Sequence, residues 1–185
     1  RAQKLALELT GLEGKGYQAL FLQGGASTQF LMTAMNLMKS KAGYINTGAW
    51  SDKAIKEAKR YGEVIEIASS KEKNFNYIPK NINLDVASDY LHFTSNNTIF
   101  GTQFKEMPKT SLPLVCDMSS DIFSREINVA DFDLIYAGAQ KNMGPAGTTL
   151  YIVKDEILGK STSDFMPTYL DLKTHAEKDS MFNTP

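Results

Sequence analysis

Several short, almost wholly apolar runs in this chain are each followed directly by glycine or polar residues. Tyr17 to Leu22 leads into a Gly-Gly turn, after which apolar residues recur at helical spacing from Thr28 to Met38. Short runs that are apolar throughout are typical of strands buried on both faces, as in parallel sheets covered by helices. Similar runs lie at 91–94, 112–116, 134–137 and 148–153. The pattern predicts an α/β fold, a three-layer α/β/α arrangement around a mostly parallel sheet.

The segments between these runs carry weaker signals. Leucines four residues apart predict a helix over 3–9, and Ser51 is interpreted as the N-cap of a helix that continues to Tyr61. The stretch from Asp85 to Tyr90 is compatible with a short helix. Beyond Asp155 the periodic pattern fades into a polar tail.

The composition argues against several functional classes. The chain has 185 residues, enough for one domain with at most a small extension, and 42% hydrophobic residues are ordinary for a globular core. A net charge of −1 provides no basic field for nucleic acid or an anionic membrane, and no run approaches the roughly 20 apolar residues of a membrane span. Cys116 is interpreted as a core residue and His92 and His175 as structural or solvated, so no metal site is expected. A cytoplasmic location is the default expectation.

An acid and an amine follow two of the apolar runs. Asp117 comes directly after 112–116, and Lys141 lies in a glycine-rich loop after 134–137. Because ligands of parallel sheets gather at the carboxyl ends of strands, both residues could line one crevice. A lysine can form a Schiff base with pyridoxal phosphate (PLP), and an acid can keep its ring nitrogen protonated so that the ring accepts electrons. Taken alone, a loop lysine is usually solvated and an aspartate at a strand end is usually a turn residue.

Three further segments could serve the same crevice. The glycine turn at 24–27 opens a helix whose first amides, with the Ser27 or Thr28 hydroxyl, could bind a phosphate. Trp50 could lie flat against a cofactor ring, and Thr98 could donate a hydrogen bond to a ring phenolate. The alternatives are a plain strand-to-helix turn, ordinary core packing and a capped turn, respectively.

Together these segments resemble those of a known family. Seven motifs stand in the family's order, namely Gly-Gly-Ala-Ser-Thr-Gln-Phe at 24–30, Thr-Gly-Ala-Trp at 47–50, Asn-Asn-Thr-Ile at 96–99, Asp-Met-Ser-Ser at 117–120, Ser-Arg at 124–125, Tyr-Ala-Gly-Ala-Gln-Lys-Asn at 136–142 and Asn-Thr-Pro at 183–185. The chain closely resembles the phosphoserine aminotransferases, which are fold-type I PLP enzymes, over almost its whole length.

The resemblance implies a role for each matching residue at the cofactor ring. Lys141 would carry the internal aldimine, and Asp117 would pair with the pyridine nitrogen. Trp50 would stack on the ring and Thr98 would contact the ring hydroxyl. The expected cofactor is therefore PLP, with Lys141 and Asp117 as the catalytic residues.

The resemblance also implies how the cofactor's phosphate is held. Ala26, Ser27 and Gln140 would bind it from the same chain. Asn183 and Thr184 would reach the phosphate of a neighbouring chain across a homodimer interface, so that two chains share each active site.

The activity implied is transfer of an amino group from glutamate to 3-phosphohydroxypyruvate, which yields phosphoserine and 2-oxoglutarate. Some family members carry an arginine at the position of Ser27, and the family has further arginines outside the stretch matched here. We therefore expect residues 1–185 to be the PLP-binding large domain of a longer enzyme. The alternatives are another fold-type I aminotransferase, a cysteine desulfurase, a non-catalytic domain that binds a phosphate-bearing ligand, and a generic nucleotide-binding domain.

Overall fold

The computed structural model describes residues 1–84, 86–159 and 165–183, and a seven-stranded sheet forms its centre. In chain order, the strands within these ranges are β1 (Tyr17–Gln23), β2 (Lys41–Asn46), β3 (Glu63–Ser69), β4 (Leu91–Thr94), β5 (Asn96–Asn97), β6 (Thr102–Gln103), β7 (Leu114–Asp117), β8 (Leu134–Gly138) and β9 (Thr148–Lys154). Strands β5 and β6 form a separate two-stranded hairpin. The other seven lie side by side in the order β1-β9-β8-β7-β4-β2-β3.

The sheet is parallel except at one strand. Strand β9 is antiparallel to both of its neighbours, β1 and β8, whereas every other adjacent pair in the sheet is parallel. The carboxyl ends of β1, β2, β4, β7 and β8 therefore lie along one edge of the sheet, which we call the carboxyl edge. The predicted α/β fold with a mostly parallel sheet is confirmed.

Helices cover one face of the sheet, and mixed segments cover the other. The helices of the described residues are α1 (Ala2–Thr10), α2 (Ala26–Leu37), α3 (Ala49–Ala58), α4 (Ala139–Asn142) and α5 (Leu172–Glu177), with 3₁₀ turns at Lys71–Lys73 and Thr168–Leu170. Phe30 of α2, Ile55 of α3 and Leu172 of α5 belong to one apolar core. Ala6 of α1 belongs to a second core, together with Phe104 and other residues from the segments that connect β6 to β8. The sheet is thus buried on both faces, which explains why its strands are apolar throughout.

The predicted helix after β2 is present as α3, but its predicted N-cap was wrong, and so was the short helix suggested before β4. Ser51 is not the N-cap of α3, which begins at Ala49; its hydroxyl instead accepts the backbone N–H groups of Thr47 and Gly48, both at 3.0 Å. Residues 86–90 are not helical, and Asp85 lies outside the described residues. The carboxylate of Asp89 accepts backbone N–H groups from the turn between α2 and β2, and this holds the segment extended.

The chain beyond Asp155 also departs from the predicted polar tail, because α5 packs against the body of the protein. Leu172 and His175 are buried, and the Leu172 N–H donates to Asn36 Oδ1 at 3.1 Å. The Asn36 amide in turn donates to the Leu170 carbonyl at 2.8 Å. Two buried positions in a six-residue helix are too few to produce a visible hydrophobic period.

His92 lies in the core between two tyrosines, in agreement with its predicted structural role. Its ring stacks on Tyr44 with 4.8 Å between centroids, and Nε2 lies 2.8 Å from the Tyr136 hydroxyl. Burial lowers the pKa of His92 to about 3, and Nδ1 has no hydrogen-bond partner among the described residues. The imidazole is therefore neutral. Cys116 is fully buried in the other core, as predicted.

Acid should destabilise the fold through His92. The pKa of an unfolded histidine is near 6.5, so between pH 6.5 and about 3 the unfolded chain binds a proton that the folded chain does not. The contribution of neutral His92 to the free energy of unfolding is fully present above the pKa of the unfolded state. It is lost progressively as the pH drops toward the pKa of the folded state. The loss from His92 between pH 7 and pH 5 is about 2 kcal/mol. Urea unfolding of His92→Gln should lack this loss, and an equal pH dependence in both proteins would contradict the assignment.

Candidate functional site

The side chains of Lys141, Thr98 and Trp50 meet at the carboxyl edge. The Nζ of Lys141 lies 2.6 Å from Thr98 Oγ1 and 5.2 Å from the centroid of the Trp50 ring. Lys141 comes from α4 after β8, Thr98 follows β5, and Trp50 lies in the first turn of α3 after β2. The fold thus brings together three residues that are far apart in the sequence.

Asp117 ends β7 with its side chain almost fully buried, at 3% exposure. Its Oδ1 accepts the backbone N–H and the hydroxyl of Ser119, at 2.9 and 2.7 Å. Burial raises the pKa of the Asp117 carboxyl above its usual value, while the hydrogen bonds from Ser119 and the charge of Lys141 act in the opposite direction. A cationic ligand group placed beside Asp117 would favour the ionised form further.

The protein environment lowers the pKa of the Lys141 amine. Lys141 is an exposed residue, yet the surrounding protein removes enough water from the amine to lower its pKa below the usual value. The charge of Asp117 opposes this shift. A lower pKa increases the fraction of neutral amine at a given pH, and the neutral amine is the nucleophilic and basic form.

The glycine turn enters α2 at the same edge. Gly24 has a φ of +96°, a left-handed conformation that glycine adopts without strain, and its N–H donates to the Gly147 carbonyl at 2.9 Å. Gly25 is the N-cap of α2, so Ala26 is the first residue of the helix, and Ser27 is exposed in its first turn. The first amides of a helix have no partner within the helix, and such a terminus is a common phosphate site.

Of the remaining predicted residues, two are exposed and one lies outside the described residues. Gln140 precedes Lys141 in α4 and is exposed. Asn183 is also exposed, and its backbone carbonyl accepts the side-chain amide of Gln23 in the same chain at 3.3 Å. Thr184 lies outside the described residues. The contacts of Asn183 and Thr184 with a neighbouring chain stay predictions.

Comparison with known proteins identifies the family. The aminotransferase class-V family matches residues 12–185. The chain belongs to this family. Among its relatives, the phosphoserine aminotransferase of Flavobacterium psychrophilum is 62% identical over the whole chain, which corresponds to 52% of that relative. The chain thus spans about half the length of the curated relatives it matches.

Solved structures of class-V relatives have the same fold. A phosphoserine aminotransferase in which radiation damage of the Schiff base was studied has a TM-score of 0.93 and 48% identity, covering 100% of this chain and 52% of its own. The PLP-bound phosphoserine aminotransferase of Trichomonas vaginalis has a TM-score of 0.89 and 31% identity, covering 100% of this chain and 53% of its own. The predicted resemblance to phosphoserine aminotransferases is confirmed.

The residues at the carboxyl edge fit the cofactor that these relatives suggest. The Lys141 amine can attack a carbonyl, the Asp117 carboxylate can pair with a protonated ring nitrogen, and the Trp50 indole provides a flat apolar surface. Five buried side-chain polar atoms have no hydrogen-bond partner among the described residues, and two of them, Trp50 Nε1 and Thr94 Oγ1, belong to Trp50 itself and to the strand next to Asp117. Thr94 is paired with Asp117 across strands β4 and β7, so the hydroxyl without a partner lies on the strand next to the acid. Unsatisfied buried groups are expected where a ligand completes the site.

Two contacts that the sequence analysis missed organise these loops. The Asn97 amide donates to Thr47 Oγ1 at 3.1 Å and joins the hairpin next to Thr98 to the turn before Trp50. No local sequence signal pairs position 47, in the turn after β2, with position 97, in β5. The second contact is that of Ser119 with Asp117, for which a signal did exist. An aspartate often accepts the backbone N–H of the residue two positions later, as in an Asx-turn.

Gly48 allows the close approach of these loops, because a Cβ there would lie 2.7 Å from Asn97 Oδ1 and 3.3 Å from Asn97 Cβ. The substitution Gly48→Ala should therefore overpack the contact and lower the free energy of unfolding, measured with urea, by about 1–3 kcal/mol. Gly144→Ala is the matched control, since no atom lies within 4 Å of its added Cβ. The control should cost less than about 0.5 kcal/mol. Equal stability of the two variants would contradict this account.

Proposed function

We propose that residues 1–185 form the PLP-binding large domain of a phosphoserine aminotransferase. The enzyme transfers the amino group of L-glutamate to 3-phosphohydroxypyruvate and yields O-phospho-L-serine and 2-oxoglutarate. The observation that carries the proposal is the position of the Lys141 amine, 2.6 Å from Thr98 and 5.2 Å from the Trp50 ring, at the edge where β7 ends in Asp117. The shared name of the relatives supports the choice of substrates.

Lys141 and Asp117 have the two catalytic roles, as the base and as the carboxylate that binds the ring nitrogen. Bound PLP supplies a carbonyl that takes up the amino group and a ring that accepts electrons from the substrate Cα. Lys141 would hold the cofactor through Nζ and, as a free neutral amine, would remove the proton from the substrate Cα. Its lowered pKa suits this task because the base must be the neutral amine. Asp117 keeps a proton on the ring nitrogen through its buried carboxylate.

The other residues orient the cofactor. Trp50 would pack on the face of the ring, and the Thr98 hydroxyl would bind the ring oxygen. A homodimer would complete each site. Ala26, Ser27 and Gln140 would hold the phosphate from the same chain, and Asn183 and Thr184 would hold it from the neighbouring chain.

Reductive trapping tests this proposal directly. The full-length protein is incubated with PLP, reduced with borohydride, digested and mapped by mass spectrometry. A pyridoxyl group on Lys141 alone is the expected result, because its amine has the lowered pKa and the neighbours that a preformed site requires. Labelling spread over the exposed lysines, or absent from Lys141, would overturn the proposal.

A single-turnover measurement then tests the reaction. Enzyme loaded with PLP should convert about one equivalent of glutamate to 2-oxoglutarate without any acceptor present, since the amino group is left on the cofactor. A phosphorylated 2-oxoacid should then remove that group much faster than its unphosphorylated analogue. Lys141 labelling without formation of 2-oxoglutarate would mean a non-catalytic PLP-binding protein.

A further inference from the structure

The hydroxyl of Ser119 bridges the ends of two neighbouring strands. It donates to Asp117 Oδ1 at the end of β7, at 2.7 Å, and accepts the N–H of Gly138 at the end of β8, at 3.1 Å. Ser119 is itself only 5% exposed. One buried side chain therefore connects the acid of the site to the backbone of the next strand.

The backbone that Ser119 binds is the start of the lysine-bearing helix. Gly138 is the N-cap of α4, and Lys141 follows three residues later. Next to Gly138, Ala139 is buried as well, at 7% exposure. If the Ser119 hydroxyl turned away, a buried amide N–H would lose its acceptor, which costs more than the loss of an exposed hydrogen bond. The bridge is thus held in place from both sides.

We propose that Ser119 is a positioning residue that fixes the carboxylate of Asp117 relative to the start of α4 and so orients it toward the ring nitrogen of the cofactor. This inference rests on the function proposed above. Ser119 touches neither substrate nor cofactor in this role. It acts through Asp117. Its side-chain hydrogen bonds distinguish this role from that of a residue in an ordinary turn.

An ordinary Asx-turn would need only the backbone of Ser119. The backbone N–H already donates to Asp117 Oδ1 at 2.9 Å, and any residue except proline at position 119 could supply that bond. The hydroxyl adds a second hydrogen bond to the same oxygen and the connection to Gly138. Substitution of the hydroxyl therefore removes the bridge and leaves the turn.

The charges around Asp117 set the direction of the expected effect. Burial raises the pKa of Asp117, and the Ser119 hydroxyl is first among the groups that lower it, ahead of the Ser119 N–H and Lys141. The other titratable groups that act on or feel this carboxylate are Cys116 on β7, Tyr136 on β8 and Tyr151 on β9, whose own pKa values burial raises. All three are neutral near pH 7, so Lys141 is the one cation in this set. Loss of the hydroxyl should raise the pKa of Asp117.

The test follows the titration of Asp117 in the cofactor-free protein by ¹³C NMR of the aspartate carboxyl carbons, assigned with an Asp117→Asn variant. Ser119→Ala should shift the midpoint upward by about one pH unit. In Ser119→Thr, which keeps the hydroxyl, the midpoint should lie within about 0.3 pH unit of that in the unsubstituted protein. Ser120→Ala is the matched control, because the Ser120 hydroxyl bonds only to Asn96 among the described residues. It should not shift the midpoint.

The same three variants are then loaded with PLP. The dissociation constant should rise about tenfold in Ser119→Ala and stay near that of the unsubstituted protein in Ser119→Thr and Ser120→Ala. An unchanged Asp117 midpoint in Ser119→Ala, or an equal shift in Ser120→Ala, would overturn the positioning role. If Ser119→Ala does not fold, Ser119→Cys replaces it, because a thiol is a weak donor, and the absence of an upward shift there overturns the proposal equally.

The two proposals fail in different ways. Failure of the proposed function would appear as the absence of a pyridoxyl group on Lys141 in the unsubstituted protein. Failure of the role of Ser119 would appear as a normal Asp117 titration in the variant, which is measured without any cofactor.

Discussion

Lys141→Ala should abolish reductive labelling of the protein by PLP and borohydride and lower turnover of glutamate with a phosphorylated 2-oxoacid by about 10³- to 10⁴-fold in the full-length protein. Both effects would have one cause, because the proposed mechanism uses the same amine to bind the cofactor and to remove the Cα proton. The stability of the variant should change little, since Lys141 is exposed and outside both apolar cores. Loss of activity would then reflect chemistry, and an unchanged urea midpoint would verify this.

Lys53 supplies the matched control for this experiment. Its Nζ lies 4.4 Å from the centroid of the Trp50 ring, so it is a second amine next to the same indole. The pKa of Lys141 is lowered, which gives its amine the advantage as a nucleophile. Lys53→Ala should therefore retain the label on Lys141 and most of the activity. Normal turnover in Lys141→Ala would contradict the catalytic role of Lys141. A pyridoxyl group on Lys53 in place of Lys141 in the unsubstituted protein would contradict it as well.

Asp117→Ala should lower kcat by about 10²- to 10³-fold while Lys141 is still labelled. The ring nitrogen of the cofactor would lose the buried carboxylate that holds its proton, so electrons from the substrate Cα would be stabilised poorly. The variant should also lower the pKa of Lys141 further, because the charge of Asp117 is what opposes the effect of burial there. Labelling at pH 7 should therefore be at least as fast as in the unsubstituted protein.

The specificity of this effect can be tested with an acid at the other end of the sheet. Asp155 is exposed and accepts a 2.8 Å hydrogen bond from Gln18, far along β1 from the carboxyl edge. Asp155→Ala should leave kcat nearly unchanged. An unimpaired kcat in Asp117→Ala would show that the buried carboxylate does not act on the ring, and loss of labelling would show that it acts on the lysine instead.

The sheet could be predicted only in part. The strands that are apolar throughout were recognisable because burial on both faces removes the alternation of polar and apolar residues. The run at 148–153 was recognised as a strand, yet nothing in it indicates that β9 lies between β1 and β8 and runs against both. The pairing of β9 with β1 joins residues more than 100 positions apart in the chain, such as Leu20 with Tyr151.

The errors have local causes that the structure makes plain. Ser51 has the residue type of an N-cap, but Gly48 takes that position and the serine hydroxyl satisfies the free amides from inside the first turn. The segment that ends at Tyr90 has a helix-compatible composition, but Asp89 accepts backbone N–H groups from Lys39 to Lys41, and these bonds hold it extended. In the second case the side-chain hydrogen bonds outweigh a weak helical preference.

The sequence by itself determined the class of fold and the family, because periodicity, turn residues and motifs can be read directly from the order of residues. Only the tertiary structure decided that the Lys141 amine lies against Thr98 and Trp50, that Asp117 is buried, and that Ser119 joins the acid to the start of α4. These facts depend on which strands lie side by side and on how much water the packed protein removes. The protonation of Asp117 and Lys141, on which the proposed chemistry depends, follows from burial and distance and cannot be obtained from residue type alone.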